Sequence, residues 1–259
     1  MTDETPFGHE KLDVYQHCLR FIARTETLIA ETKNAPAVLD HLERASESVA
    51  EHIVNGNSFW SADAKCRYFD IARGSALECA ACMDVCRVKG LVSLPRCNQE
   101  KTELRMIVKM ISGLIRSQPR EFREPSDEYK VATDKQNTEI YFDHERLKVY
   151  QFALDFVDWL EHEIKEIDVC ASRWRKLDTL ATSIVLNIAE GNGRSEASDH
   201  RNFVDIAHRS ALKAALQLDL ACAKVNLPPA KFDEGKKLLG GIVRMLLALR
   251  GYFAEKESD

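Results

Sequence analysis

Phe142-Asp143-His144-Glu145-Arg146-Leu147-Lys148-Val149-Tyr150-Gln151 repeats an earlier stretch, Phe7-Gly8-His9-Glu10-Lys11-Leu12-Asp13-Val14-Tyr15-Gln16. The register that sets Phe7 on Phe142 also sets Asp70-Ile71-Ala72 on Asp205-Ile206-Ala207 and Ser75-Ala76-Leu77 on Ser210-Ala211-Leu212. It pairs Gly56-Asn57 with Gly191-Asn192 and Ile107-Val108 with Ile242-Val243. Roughly thirty identities follow without a gap, so one module was copied with its helix and loop lengths kept. The units are 1–117 and 142–259. Between them 118–141, with Pro119, Pro125 and many charges, reads as an exposed linker.

Each unit carries four stretches of helical periodicity. The first spans about 7–32 and 142–167, with Leu147, Tyr150, Leu154 and Val157 at three-and-four spacing. The second holds Leu39, Leu42, Ala45, Val49 and Ile53, matched by Trp174, Leu177, Leu180, Ile184 and Ile188. Gly56 and Gly191 stand where a left-handed residue would end that helix, and Ser61 and Ser195 where a hydroxyl would cap the next. Pro95 and Pro228-Pro229 separate the third helix from a fourth, built on Leu104, Ile107, Ile111 and Leu114 or Leu239, Ile242, Leu246 and Leu249. No stretch alternates as a strand does. The expected fold class is all-α: two tandem up-down-up-down four-helix bundles.

Composition narrows the function. A net charge of −5 disfavours broad adhesion to nucleic acid or anionic lipid. No apolar run is long enough to span a membrane, and the acidic N-terminus lacks the apolar core of a signal peptide. With eight cysteines, this predicts a cytoplasmic protein with reduced thiols.

Catalytic and metal patterns were weighed against structural ones. Cys79, Cys82 and Cys86 line one helix face, but their partners in the second unit are Ala214, Gln217 and Ala221, so core packing is expected. Asp205-Ile206-Ala207-His208 approaches a di-iron ligand pair, yet its counterpart ends in Arg73. His9-Glu10 and His144-Glu145 recur at the start of the first helix, where an acid favours the helix dipole. Glu190 opposes the dipole at the other end of a helix and calls for a partner such as Arg194 or Arg209. No phosphate-binding loop or nucleophile arrangement is present, and no cofactor or metal is expected.

The third helix carries the informative pattern. Phe203, Ala207, Ser210, Ala214 and Ala221 share one side, as core residues should, while Leu212, Leu216 and Leu220 lie largely on the other. The first unit repeats this with Leu77, Ala81 and Val85. A bundle helix needs one apolar stripe, so the second predicts an interface, between the halves or between chains. Arg194, Arg201, Arg209 and Lys213, with Arg173, Arg175 and Lys176, concentrate positive charge in the second unit, a candidate nucleic-acid contact.

Three elements of the second unit resemble the four-helix-bundle family encoded in intervening sequences of large-subunit ribosomal RNA genes, with relatives among accessory proteins of diversity-generating retroelements. They are Leu147/Val149/Tyr150, the run Ser183-Ile184-Val185-Leu186-Asn187-Ile188-Ala189-Glu190-Gly191, and Phe203-Val204-Asp205-Ile206-Ala207-His208-Arg209-Ser210. The first unit reads His52-Ile53-Val54-Asn55-Gly56 at the second element and keeps the third as Phe69 to Glu78, where Lys213 replaces the glutamate. The resemblance implies oligomeric, non-catalytic proteins, some of which engage reverse transcriptase and nucleic acid through a basic surface. We therefore expect a scaffold or adaptor, not an enzyme, that acts through protein–protein contact and self-association. The alternative is a nucleic-acid or ribonucleoprotein accessory factor.

Overall fold

Among the described residues of the computed structural model (7–32, 37–118, 141–165, 171–225 and 229–256, side chains 171–173, 223–225 and 256 aside), eight α-helices form and no strand. They are α1 (Asp13–Glu31), α2 (Ala37–Ser58), α3 (Ala62–Val88), α4 (Leu94–Arg116), α5 (Lys148–Trp159), α6 (Ala171–Asn192), α7 (Ala197–Val225) and α8 (Pro229–Lys256). In the first half α1 packs on α2, α2 on α3, α3 on α4, and α4 back on α1. The second half repeats that cycle as α5–α6, α6–α7, α7–α8 and α8–α5. These are two four-helix bundles in tandem, as the repeat requires. No described helix is long and apolar enough to cross a membrane. Most of the expected linker, 119–140, lies outside the described residues, as do the expected end of the fifth helix beyond 165 and Pro228.

The cores follow the periodic residues. Leu42, Val49, Leu104, Ile107 and Ile111 are buried in one bundle, and Leu177, Ile184, Leu239, Ile242 and Leu246 at the matching places in the other. Cys79, Cys82 and Cys86 are fully buried among them. Burial raises all three thiols, Cys86 to about 12, so they stay protonated and pack as small hydrophobes.

Helix ends differ from expectation at three places. The first helix of each unit begins at Asp13 and Lys148, because Leu12 and Leu147 are extended. Before them, Gly8–Lys11 and Asp143–Arg146 form separate 3-10 turns, fixed by the same hydrogen bond in each copy, Gln16 Nε2 to Glu10 O and Gln151 Nε2 to Glu145 O, both 3.1 Å. His9-Glu10 and His144-Glu145 therefore do not sit in the first turn of an α-helix. Gly56 and Gly191 do not end α2 and α6, which run on to Ser58 and Asn192. They are glycines because a phenylalanine side chain lies against them: an added Cβ would stand 2.5 Å from ring atom Cε1 of Phe69, or 2.8 Å from Cβ of Phe203. The left-handed glycine is Gly90, at φ +69°, directly after α3. Ser61 caps α3 as expected, accepting from Ala64 N at 3.5 Å, whereas Ser195 turns to the other bundle.

Candidate functional site

The two bundles pack against each other, α3 lying on α6 and α5, and α2 touching α6. Comparison of matched helices locates the joint. On α3, Arg73, Gly74, Leu77, Ala81 and Asp84 are buried, while their α7 counterparts His208, Arg209, Leu212, Leu216 and Asp219 are exposed or half-buried. On α6, Asp178, Thr182, Val185, Leu186 and Ala189 are buried, whereas the matching Glu43, Glu47, Ala50, Glu51 and Val54 of α2 are not. One face of α3 thus meets one face of α6, with α5 closing the side.

Close approach at the centre depends on missing side chains. A Cβ on Gly193 would lie 2.7 Å from Leu77 Cδ1 and 3.1 Å from Gly74 Cα, and one on Gly74 would lie 2.9 Å from Arg194 Nε. Polar groups close one end. Arg73 donates to Gly193 O (2.9 Å), Ser195 Oγ (2.8 Å) and Asp70 (2.5 Å), and Ser195 donates to Asp70 through Oγ (2.5 Å) and N (3.2 Å). At the opposite end of this helix pair Lys89, which follows α3, pairs with Asp178 of α6.

The other end holds a buried ionic network. Lys101 Nζ lies 2.8 Å from both Asp84 Oδ1 and Glu145 Oε1, and Tyr150 donates to Asp84 Oδ2 at 2.9 Å. His144 is wholly buried, stacked on Phe142 and edge-on to Tyr150. Burial and then the Lys101 cation hold its imidazole well below its usual range, so it is neutral. Burial alone would lower Lys101, but the two carboxylates outweigh it and keep the ammonium charged. Asp84, His144 and Glu145 are close enough to one another to share a cation, and Lys101 supplies that charge. Sequence reasoning missed this network. Its signal was available: Asp84 and Lys101 recur as Asp219 and Lys236, and Glu145 and Tyr150 as Glu10 and Tyr15.

The expected interface residues divide between two situations. Leu77, Ala81 and Val85 have no exposure, while Leu212 and Leu216 are 50% and 51% exposed and Leu220 is half-buried. Of the expected nucleic-acid residues, Arg194 is withdrawn into the joint, paired with Glu190 at 2.5 Å and 5.0 Å above the Phe203 ring. Burial, then the Glu78 carboxylate, pushes Glu190 up to about 7 against the pull of Arg194. Arg201 is half-buried, and Arg209 and Lys213 are exposed on α7 beside the leucines. Arg175 and Lys176 are exposed on α6, and the Arg173 side chain lies outside the described ones.

A duplicated helical module with one face spent on an internal joint, and the matching face open, defines an all-α tandem-bundle protein. The family model of the 23S rRNA-intervening sequence protein matches twice, over residues 10–113 and 145–248, and the chain belongs to that family. Neither a curated protein nor a solved structure matches it.

Proposed function

We propose that the chain is a non-catalytic scaffold that works through protein–protein contact and self-association. The observation that carries this reading is the contrast between equivalent helices: α3 buries its second apolar face in the joint, and α7 leaves Leu212 and Leu216 half in water. A face that serves as an interface in one copy is suited to be one in the other. The densest cluster of titratable groups, Asp84, Lys101, His144 and Glu145, supports a structural role, since all four are buried where no substrate could reach. Light scattering tests the proposal. Wild type should exceed its 29.4 kDa monomer mass, and Leu216→Glu should return it to that mass; a wild type that stays monomeric at high concentration refutes self-association.

A second reading, a nucleic-acid accessory role, draws on the family's ribosomal-RNA description and on exposed Arg209 and Lys213. It requires RNA binding that weakens steeply with salt and is lost on Arg209→Glu/Lys213→Glu. Absence of binding at low salt dismisses it.

A further inference from the structure

The ionic network at the joint sets an amine against two carboxyls in a place closed to water. Lys101, Asp84 and Glu145 are all buried, and so are Phe142, His144 and Tyr150 beside them. The Tyr141 ring lies 5.3 Å from Lys101 Nζ. In water an ammonium and a carboxylate stay apart as hydrated ions. Held in contact without that hydration, they face each other at an effective concentration of about 10⁵ M or more, and the barrier to joining them falls.

The two carboxyls are held differently, and this separates their roles. Asp84 is gripped on both oxygens: Lys101 Nζ donates to Oδ1 at 2.8 Å and Tyr150 donates to Oδ2 at 2.9 Å. Burial keeps the Tyr150 phenol protonated, so it stays a donor to negative charge growing on Oδ2. Glu145 has Oε2 tied to the backbone N–H of Tyr141 at 2.9 Å, while Oε1 lies 2.8 Å from Lys101 Nζ. Burial raises the Glu145 carboxyl, which suits it to take a proton and give it back. Among the described residues neither ring nitrogen of His144 has a hydrogen-bond partner, and a nitrogen of that ring lies within 4.8 Å of an oxygen of Asp84 and of Glu145.

We propose that Lys101 and Asp84 condense into an isopeptide bond between α4 and α3, with Glu145 as the proton carrier. Glu145 Oε1 takes one proton from the ammonium, and the freed lone pair of Nζ attacks Asp84 Cγ. Tyr150 holds the charge on Oδ2 in the tetrahedral adduct. Oδ1 then leaves as water, with the proton returned by Glu145 and a second proton from Nζ, and His144 offers that water a hydrogen bond. The Nζ–Cγ bond forms and the Cγ–Oδ1 bond breaks; ammonium and carboxylate become amide and water, and nothing is oxidised or reduced. Because the two carboxylates keep Lys101 charged, the ion pair is the resting state and the bond accumulates as the folded protein ages.

The second bundle holds a natural control. Asp219 and Lys236 stand at the same positions and pair at 3.0 Å, but they are half-exposed, and among the described residues no second carboxylate pairs with Lys236. That pair stays ionic. The reaction lies within one molecule and is independent of self-association.

Intact-mass spectrometry of the full chain tests the proposal, on protein kept folded at neutral pH for weeks and denatured before each reading. Wild type should become lighter by one water, about 18 Da. Trypsin should then release peptide 74–87 joined to peptide 97–105, uncut at Lys101. Glu145→Gln keeps the shape and removes the proton carrier, so the water loss should slow by about a hundredfold or more. Lys101→Arg keeps the positive charge without a competent amine and should hold its sequence mass, with circular dichroism confirming the helices. A wild type that keeps its sequence mass throughout overturns the bond. So does a water loss that survives Lys101→Arg or maps to Asp219 and Lys236. A folded Glu145→Gln that reacts as fast as wild type overturns the role of Glu145.

Discussion

Lys101→Met is the most telling single substitution, because the repeat supplies its own control. The change keeps most of the side-chain bulk and removes the charge. At position 101 it leaves the carboxylates of Asp84 and Glu145 facing each other without a cation, with side chains only 8% and 9% exposed. Removing one partner of a buried ion pair costs about 3–5 kcal/mol, mostly as the penalty of the stranded charge. At the equivalent position, Lys236→Met breaks a pair with Asp219 in which the side chains are 34% and 49% exposed, and such pairs contribute about 0–1 kcal/mol. Both are best measured by urea unfolding on a Leu216→Glu background, so that assembly does not mask position 236. With a slope of about 3 kcal/mol per molar, the midpoint should fall by roughly 1–1.7 M for Lys101→Met and by less than about 0.3 M for Lys236→Met. The pH dependence carries a second check. Without Lys101, the Glu145 carboxyl, already raised by burial, holds its proton more tightly in the folded than in the unfolded chain, so the folded state binds more protons and stability falls as pH rises. The loss should therefore shrink when the melt is repeated at about pH 4.5, near the unfolded carboxyl values. Equal losses at the two positions, or a Lys101→Met loss that does not shrink in acid, would refute the reasoning.

Two further outcomes follow from the geometry. Glu190 sits at about 7 when folded, against about 4.3 in an unfolded chain, so the stability it lends as a protonated group is complete below the unfolded value and lost as pH climbs through 7. Thermal melts across that window should show wild type losing roughly 1–3 kcal/mol and Glu190→Gln a flatter profile; identical profiles would show that Glu190 is not the titrating group. Gly56→Ala and Gly191→Ala drive a Cβ into Phe69 or Phe203 and should cost about 1–3 kcal/mol each. Gly113→Ala and Gly251→Ala, helical and with nothing within 4 Å of the new methyl, should gain about 0.5–1 kcal/mol, and a melting temperature moving the same way for all four would count against the packing argument.

The repeat, the eight helices and the core stripes were legible because each rests on local periodicity. A helix reports its buried face through residues three and four apart, wherever the rest of the chain lies. The extra stripe at Leu77/Ala81/Val85 and Leu212/Leu216/Leu220 was legible for the same reason. What covers each stripe was not, since that depends on how one rigid bundle seats on another. Asp84, Lys101, Glu145 and Tyr150 come from three helices and a turn in both halves, and no spacing along the chain announces their meeting. The glycines misled for a related reason: Gly56 and Gly191 were placed by a rule about backbone conformation, while a neighbouring ring decides their identity. Arg194 meets the expectation of a partner for Glu190, while the fold draws it under the joint and away from the candidate nucleic-acid surface.

Joining two copies of one bundle sets a problem of specificity that the sequence differences between the copies answer. If the two joints were identical, the α3 face of one chain could as readily take α2 of another chain as its own α6. The chain has diverged where this matters. At one end of its internal joint the backbones approach closely because Gly74 and Gly193 lack side chains, a Cβ on Gly193 falling 3.1 Å from Gly74 Cα. Its open faces carry Arg209 and Lys213 on one side and Glu43, Glu47 and Glu51 on the other. An acidic α2 offered to the α3 face would set Glu47 and Glu51 at the places of buried Thr182 and Leu186, with a desolvation cost. The divergence therefore reads as a means of keeping the α3 face to its own α6.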